Sequence, residues 1–110
     1  MINVLFICSR NQWRSPTAEQ IFRRHPSITA RSAGTSRNAK KRVTTDLLLW
    51  SDVICVMEQQ HKNRLVAEYP QAIALKPLHV LNIPDDYSFM EPELIAMITD
   101  IVTDNLGLYT

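Results

Sequence analysis

Residues 8–19 read C-S-R-N-Q-W-R-S-P-T-A-E and lie between a predicted strand and a predicted helix. The preceding run, Ile2–Ile7, is nearly all apolar and contains β-branched residues, which is typical of a strand buried on both faces of a parallel sheet. After the loop, proline stands where a first helical turn tolerates it, and apolar residues then recur at helical spacing. The segment is therefore predicted to run from strand through loop into a helix that begins at about Ser15 or Pro16.

The loop has the composition of an anion site. In a loop of this kind the backbone N–H groups point inward with a helix N-terminus behind them, and both attract negative charge. Cys8 opens the loop, and Arg14 closes it with a planar group that can bind two phosphoryl oxygens. The same positive environment stabilises a thiolate, so Cys8 is expected to be a nucleophile whose sulfur Ser15 assists as a leaving group. The alternative is a buried cysteine at a strand end.

Length and composition limit the remaining possibilities. The chain has 110 residues, which suit one domain, so residues 1–110 are predicted to form a single unit. Its content of 45% hydrophobic residues and formal net charge of +1 argue against disorder and against binding of nucleic acid through bulk charge. No membrane-length apolar run or signal-peptide pattern is present, and two cysteines suggest no disulfide framework. A cytoplasmic protein is predicted.

The rest of the chain alternates between strand and helix patterns. Further strands are predicted at Ser27–Ala33, Val53–Met57 and Leu78–Ile83, and further helices at 44–50, Gln59–Tyr69 and from Pro92 onward. This alternation implies right-handed βαβ units around a parallel sheet, with the ligand crevice outside the carboxyl ends of the strands. Cys8 and Asp85 both follow such strand ends, so the topology predicts that they lie near the same crevice.

Several other reactive or charged residues have simpler predicted roles. Cys55 lies among β-branched residues and is expected to be a buried hydrophobe. His61 is expected on the exposed face of a polar helix, and Pro70 is expected to stop that helix. The basic segment Arg37–Arg42 is either part of the rim of a phosphate site or a solvated loop. No zinc-type spacing is present in the sequence. Attack by the Cys8 nucleophile on a bound phosphate needs no metal or other cofactor.

The motif of Cys8, five residues and then R-S-P-T-A-E resembles the signature loop of the low-molecular-weight protein tyrosine phosphatase family. Asn11 falls where that family has an asparagine that shapes the loop. Residues 30–36, A-R-S-A-G-T-S, resemble its second segment, and residues 52–58, D-V-I-C-V-M-E, resemble its strand that ends in Met-Asp or Met-Glu. The chain looks like a short, trimmed, bacterial-type member, and beyond Glu58 it matches only loosely.

This resemblance implies a flavodoxin-like α/β/α fold of three layers, with a four-stranded parallel sheet in the order 2-1-3-4. It also implies a metal-independent phosphomonoester hydrolase, specifically a protein tyrosine phosphatase, that forms a phosphocysteine on Cys8. Cys8 and Arg14 are then the catalytic residues of the loop. The implied phosphate-binding residues are Ser9, Arg10, Asn11, Gln12, Trp13, Arg14 and Ser15.

A general acid must protonate the leaving oxygen, because an unprotonated alkoxide or phenoxide leaves poorly. The family uses an Asp-Pro pair followed by tyrosines, whereas this chain has Asp85-Asp86-Tyr87. Asp85 is the preferred acid, and Asp86 is the alternative. In the second step the same carboxylate would activate water.

Departures from the family pattern affect the expected substrate, and two other functions compete with phosphatase activity. Trp13 occupies a position where the family often has a second cysteine, and it is expected to line the pocket together with Tyr87 and Phe89. The expected substrate is a phosphotyrosine protein or a small aryl phosphate, acted on by a monomer. One alternative is a thiol-dependent arsenate reductase, for which Cys55 looks too buried to act as a relay. Another is a non-catalytic module that binds phosphate or nucleic-acid ends, although nucleic acid is not expected.

Overall fold

A computed structural model of the chain describes residues 1–108. Strands and helices alternate along most of this length. The strands are β1 (Ile2–Cys8), β2 (Ile28–Gly34), β3 (Val53–Val56) and β4 (Leu78–Val80). The helices are α1 (Arg14–Phe22), α2 (Thr45–Trp50), α3 (Gln59–Glu68), α4 (Pro70–Ile73) and α5 (Pro92–Leu106).

The four strands form one parallel sheet in the order β2-β1-β3-β4, which confirms the predicted topology. β1 lies between β2 and β3, with Cys8 opposite Gly34 and Ile7 opposite Val56. Because β1 is a central strand, its carboxyl end lies between the carboxyl ends of β2 and β3. The loop that follows β1 is therefore held between the loops that follow β2 and β3.

Both faces of the sheet are covered by helices, as the apolar β1 sequence predicts. Val4 and Phe6 pack on one face, in a core that includes apolar residues from α1 and α5. Leu5 and Ile7 pack on the other face, in a core with residues from α2 and α3 and with partly buried residues of α4. The successive residues of β1 thus alternate between two cores, which gives the three-layer α/β/α arrangement. Within the described residues, no helix is long and apolar enough to cross a membrane.

Most element boundaries agree with the prediction to within about one residue, and the main differences lie at α1, at β4 and at Pro70. Helix α1 begins at Arg14, slightly before the predicted start. Strand β4 ends at Val80 rather than Ile83, because Asn82 adopts a left-handed conformation with φ of 58° that interrupts an extended strand. Pro70 does not only end α3, since it also occupies the first position of the additional short helix α4.

Candidate active site

The loop from Cys8 to Arg14 turns sharply around Asn11, which has a φ of 52°. Asparagine tolerates this left-handed conformation better than most residues because its side chain can form local hydrogen bonds. The buried Asn11 amide donates to the hydroxyl oxygens of Ser15, at 3.0 Å, and of Ser32, at 2.9 Å. It therefore ties the loop both to the start of α1 and to β2, which is the shaping role that the resemblance implies.

The loop backbone is oriented by the segment that follows β2. Three successive loop carbonyls accept hydrogen bonds from N–H groups of this segment: Cys8 from Thr35 at 3.0 Å, Ser9 from Ser36 at 2.8 Å, and Arg10 from Lys40 at 3.0 Å. The N–H group of a trans peptide points away from its carbonyl. The N–H groups of residues 9–11 consequently point away from that segment, which suits a cradle for an anion.

Gly34 permits this close packing of β2 against the loop. A Cβ atom added at Gly34 would lie 2.5 Å from the carbonyl oxygen of Ser9 and 2.9 Å from the backbone nitrogen of Asn11. It would also lie 2.7 Å from the Cβ atom of Ala39. Because two of these neighbours are backbone atoms, a side chain at this position would displace the loop.

Cys8 and Ser15 form the buried floor of the cleft. The Cys8 thiol is 3% exposed, and its Sγ atom lies 2.9 Å from the Oγ atom of Ser15. Because Asn11 donates to the Ser15 oxygen, the hydroxyl proton of Ser15 is left for one of two acceptors, the Cys8 sulfur at 2.9 Å or the carbonyl oxygen of Ala33 at 3.3 Å. A thiolate at Cys8 is the nearer acceptor and carries the larger negative charge. A hydroxyl in this position stabilises negative charge on sulfur.

Arg14 is almost fully buried and is fixed by two acceptors. Its Nη1 atom donates to Oε1 of Glu58 at 2.5 Å and to the carbonyl oxygen of Ile83 at 2.8 Å. The hydrogen bond from Arg14 lowers the pKa of Glu58, so this carboxylate remains ionised near neutral pH. One terminal nitrogen is thus used for positioning, which leaves the edge formed by Nε and Nη2 for two phosphoryl oxygens.

The loop after β4 brings Asp85 to the same cleft. Its Oδ1 atom lies 3.7 Å from Nε of Arg14, and its carboxylate is more than half exposed. Asp85 lines a cleft of about 120 Å³ together with Cys8, Ser9, Arg10, Gln12, Trp13 and Arg14. Asp86 is exposed and does not line this cleft. The backbone N–H of Met90 donates to the Thr17 hydroxyl at 2.9 Å, which attaches the Asp85 loop to α1.

A wider cavity of about 480 Å³ adjoins this cleft and shares Gln12 and Trp13 with it. Phe89 lines the wider cavity, as do Lys40 and Lys41 of the basic segment. The exposed rings of Trp13 and Phe89 are therefore placed where an apolar part of a ligand can contact them.

Tyr87 is not placed where the sequence prediction put it. Its ring packs against the apolar core on the α1 and α5 side of the sheet, and its hydroxyl lies 3.9 Å from the sulfur of Met97. Tyr87 does not line either of the two cavities. The expectation that Tyr87 grips a ligand was wrong because the residue instead anchors its loop to α5.

His61 was predicted to be exposed, and this prediction was also wrong. The ring is 1% exposed, with Nε2 2.9 Å from Oγ of Ser9 and Nδ1 accepting a hydrogen bond from the backbone N–H of Glu58 at 3.0 Å. Burial, followed by the positive charge of Arg14, lowers the pKa of His61 to about 4. The sequence did contain a signal, since Glu58 and His61 have the spacing of a capping box at the start of α3.

Cys55 lies on β3 with no exposed surface, as predicted. Burial raises the pKa of its thiol to about 12, so a Cys55 thiolate is strongly disfavoured near neutral pH. Among residues 1–108, no group of three or more His, Cys, Asp or Glu side chains is arranged to hold a metal ion.

Comparisons with known proteins agree with this geometry. Residues 3–49 match the family model for low molecular weight phosphotyrosine protein phosphatase. No curated protein sequence matches the chain. The matched segment includes β1, the loop, α1 and β2, which are the elements that build the cleft floor.

Solved structures with the same fold cover almost the whole chain. The tyrosine phosphatase Wzb from Escherichia coli K30, in complex with phosphate, has a TM-score of 0.78 and 21% identity, with all of both chains covered. Wzb from Vibrio vulnificus, in complex with benzylphosphonate, has a TM-score of 0.77 and 20% identity, and 98% of this chain and 99% of that chain are covered. The YwlE arginine phosphatase from Geobacillus stearothermophilus has a TM-score of 0.72 and 19% identity, with coverage of 98% and 94%.

The fold and the N-terminal sequence therefore confirm the resemblance to the low-molecular-weight protein tyrosine phosphatases. The sequence match supports this over residues 3–49, and the structural likeness extends the shared fold to nearly the whole chain. Together they support a phosphatase function.

Proposed function

We propose that this protein is a phosphomonoester hydrolase, a protein tyrosine phosphatase that acts through a phosphocysteine intermediate. The observation that carries the proposal is the meeting of Cys8, Arg14 and Asp85 in one small cleft, with Ser15 at 2.9 Å from the Cys8 sulfur. These residues supply a nucleophile, an anion-binding group and a proton donor, which are the three groups that this reaction needs.

In the first step the Cys8 thiolate attacks phosphorus, and a sulfur–phosphorus bond forms as the ester oxygen–phosphorus bond breaks. Asp85, in its protonated form, gives its proton to the departing oxygen. Arg14 and the loop N–H groups of residues 9–11 stabilise the charge on the phosphoryl oxygens. The same groups serve both steps because they bind the phosphoryl group and not the alcohol.

In the second step the Asp85 carboxylate takes a proton from water as the water oxygen attacks phosphorus. The sulfur–phosphorus bond breaks, inorganic phosphate forms, and the thiolate returns to its hydrogen bond with Ser15. The step uses no metal or other cofactor.

Placement of the side chains supports Asp85 over Asp86 as the acid, because only Asp85 lines the cleft with Cys8. Trp13 and Phe89 support an aryl group as the apolar part of the substrate, since both are exposed beside the cleft. The substrate proposed is a phosphotyrosine protein or a small aryl phosphate. Wzb acts as a tyrosine phosphatase and YwlE as an arginine phosphatase, so phosphoarginine is the main competing substrate.

The arsenate reductase alternative is less well supported. It needs further thiols to resolve a Cys8 adduct, and the only other cysteine in the sequence is the fully buried Cys55. A non-catalytic phosphate-binding module has no need for Asp85 beside the nucleophile. A reductase would reduce arsenate without releasing phosphate, and a binding module would turn over no compound, so one turnover screen distinguishes both from a phosphatase.

The test is a turnover screen with phosphotyrosine peptide, an aryl phosphate, phosphoarginine and arsenate plus a thiol reductant. We expect metal-independent release of phosphate from the aryl phosphate and the phosphotyrosine peptide. Preferred turnover of phosphoarginine would replace the substrate and the bond that breaks, a phosphorus–nitrogen bond instead of an ester bond, but would keep phosphoryl transfer through Cys8. Arsenate reduction without phosphate release, or no turnover of any compound, would overturn the proposal.

A further inference from the structure

His61 connects two supports of the candidate active site. Its Nδ1 atom accepts a hydrogen bond from the backbone N–H of Glu58, whose carboxylate holds Arg14. Its Nε2 atom lies 2.9 Å from Oγ of Ser9, the residue that follows Cys8. Because the ring is 1% exposed, water cannot readily replace either contact.

The partners of the ring determine where its proton lies. A backbone N–H group can only donate, so Nδ1 of His61 must accept and must carry no proton. In a neutral imidazole the single proton is then on Nε2, which donates it to Oγ of Ser9. A serine hydroxyl that accepts in this way keeps its own proton for another acceptor.

The cleft is the available destination for that proton. Ser9 lines the cleft together with Cys8 and Arg14, where the phosphoryl oxygens of a substrate would lie. We propose that His61 is a positioning residue that holds the Ser9 hydroxyl so that Ser9 donates a hydrogen bond to a phosphoryl oxygen. The nature of the bound group rests on the proposed function, whereas the His61–Ser9 hydrogen bond rests on geometry alone.

Two substitutions of His61 separate its two contacts. His61→Asn can keep an acceptor near the position of Nδ1 but cannot reach Ser9, whereas His61→Gln can place an amide N–H near the position of Nε2. Ser9→Ala removes the hydroxyl itself. His25→Asn is the matched control, because His25 lies after α1 and its Nδ1 atom accepts only from the Ser27 backbone.

We expect Ser9→Ala and His61→Asn each to lower kcat/KM by about 10- to 100-fold, the usual effect of losing one hydrogen bond to a charged group. The double variant should be no slower than the slower single variant, because both changes remove the same interaction. His61→Gln should retain most of the activity, and His25→Asn should retain all of it. Fully additive losses, or wild-type activity in His61→Asn, would overturn the inference.

Two measurements decide the inference without turnover. Nitrogen-15 NMR of the His61 ring should show the proton on Nε2, and a ring protonated on Nδ1 would overturn the inference. Binding of inorganic phosphate, followed by tryptophan fluorescence in a Trp50→Phe background, should weaken about tenfold in Ser9→Ala and in His61→Asn. Unchanged phosphate affinity in either variant would contradict it. If the wild-type protein turned over no substrate, only the proposed function would be overturned. The NMR and phosphate-binding measurements would still decide the role of His61.

Discussion

Asp85 and Cys8 come from distant parts of the chain, yet they line one cleft with Arg14 between them. The adjacent residues Asp85 and Asp86 have different surroundings, because Asp85 lines the cleft whereas Asp86 is exposed and does not line it. A difference in function between two adjacent aspartates is therefore expected.

Asp85→Asn is predicted to lower kcat for an aryl phosphate by about 10²- to 10⁴-fold, the usual contribution of a general acid. The loss should be smaller for a substrate with an acidic phenol, because that leaving group needs less protonation. Steady-state kinetics on a series of aryl phosphates measures both effects.

Asp86→Asn is the matched control and should change kcat by less than about threefold, because its carboxylate does not line the cleft. A large loss in Asp86→Asn together with normal activity in Asp85→Asn would assign the acid to Asp86. The reaction class would then stand, but the present placement of the acid would not.

Trp13→Ala is predicted to raise KM for aryl phosphates several-fold, because its ring is 41% exposed beside the cleft. Tyr87→Phe should leave KM unchanged, since the Tyr87 ring packs into the core. KM values for an aryl and an alkyl phosphate distinguish ring contact from a general defect. An equal rise for both substrates in Trp13→Ala would contradict a role in binding the ring.

The residues of the loop could be predicted from sequence because their contacts are local or lie on a neighbouring strand. Cys8, Asn11 and Ser15 follow one another closely, and their mutual hydrogen bonds depend on one turn. His61 and Tyr87 could not be placed in this way. Their burial depends on the packing of α3 and α5 against distant segments, which the polar sequence around each residue does not reveal.

Strand β2 and the segment after it determine the shape of the loop, although they supply no catalytic side chain. Their N–H groups orient three loop carbonyls, and Gly34 leaves room for the loop backbone. The basic segment Arg37–Arg42 contributes through the Lys40 backbone as well as through its charge at the wider cavity.

Gly34→Ala is predicted to reduce kcat/KM by more than about tenfold and to lower the free energy of unfolding by about 1–3 kcal/mol, because the added carbon forces the loop to move. Gly107→Ala is the control. Gly107 ends α5 with a φ of 64°, but nothing lies near its missing side chain. It should cost about 1 kcal/mol of stability without loss of activity. Equal activity in the two variants, measured alongside urea unfolding, would contradict the proposed role of Gly34.

At the level of whole elements, the sequence predicted the four described strands and a parallel sheet, because apolar runs and βαβ alternation are strong signals. The order of the strands followed from the family resemblance. The end of β4 was missed, since backbone hydrogen bonds from Leu81 and Ile83 continue along β3 while Asn82 departs from the extended conformation. The short helix at Pro70 was missed because a proline can both end one helix and begin another.

The sheet and its two cores explain why the site is formed only in the folded chain. β1 is buried on both faces, and the cleft residues come from the ends of several elements around it. The single domain, the monomeric state and the cytoplasmic location stay predictions from the sequence.

Stability is predicted to fall as the pH is lowered from about 6.5 toward 4, because burial lowers the pKa of His61 from its ordinary value of 6.5 to about 4. In that range the unfolded chain binds a proton at this residue and the folded chain does not, so acid favours unfolding. Arg14 adds to this effect, and the carboxylates of Glu58 and Asp85 oppose it.

Urea unfolding of the wild type and of His61→Gln at about pH 7 and about pH 5 isolates this contribution, since the other titrating groups are common to both. The wild type should lose more stability on acidification than the variant. An identical loss in both proteins would contradict a neutral, buried His61.

The central claim is that Cys8 attacks phosphorus, and trapping of the intermediate tests it most directly. Rapid acid quenching during turnover of an aryl phosphate, followed by peptide mass spectrometry, should find a phosphoryl group on the Cys8 sulfur. Cys8→Ser should release no phosphate. Phosphate release by Cys8→Ser at the wild-type rate, with no phosphoryl group on the Cys8 peptide of the wild type, would contradict the account.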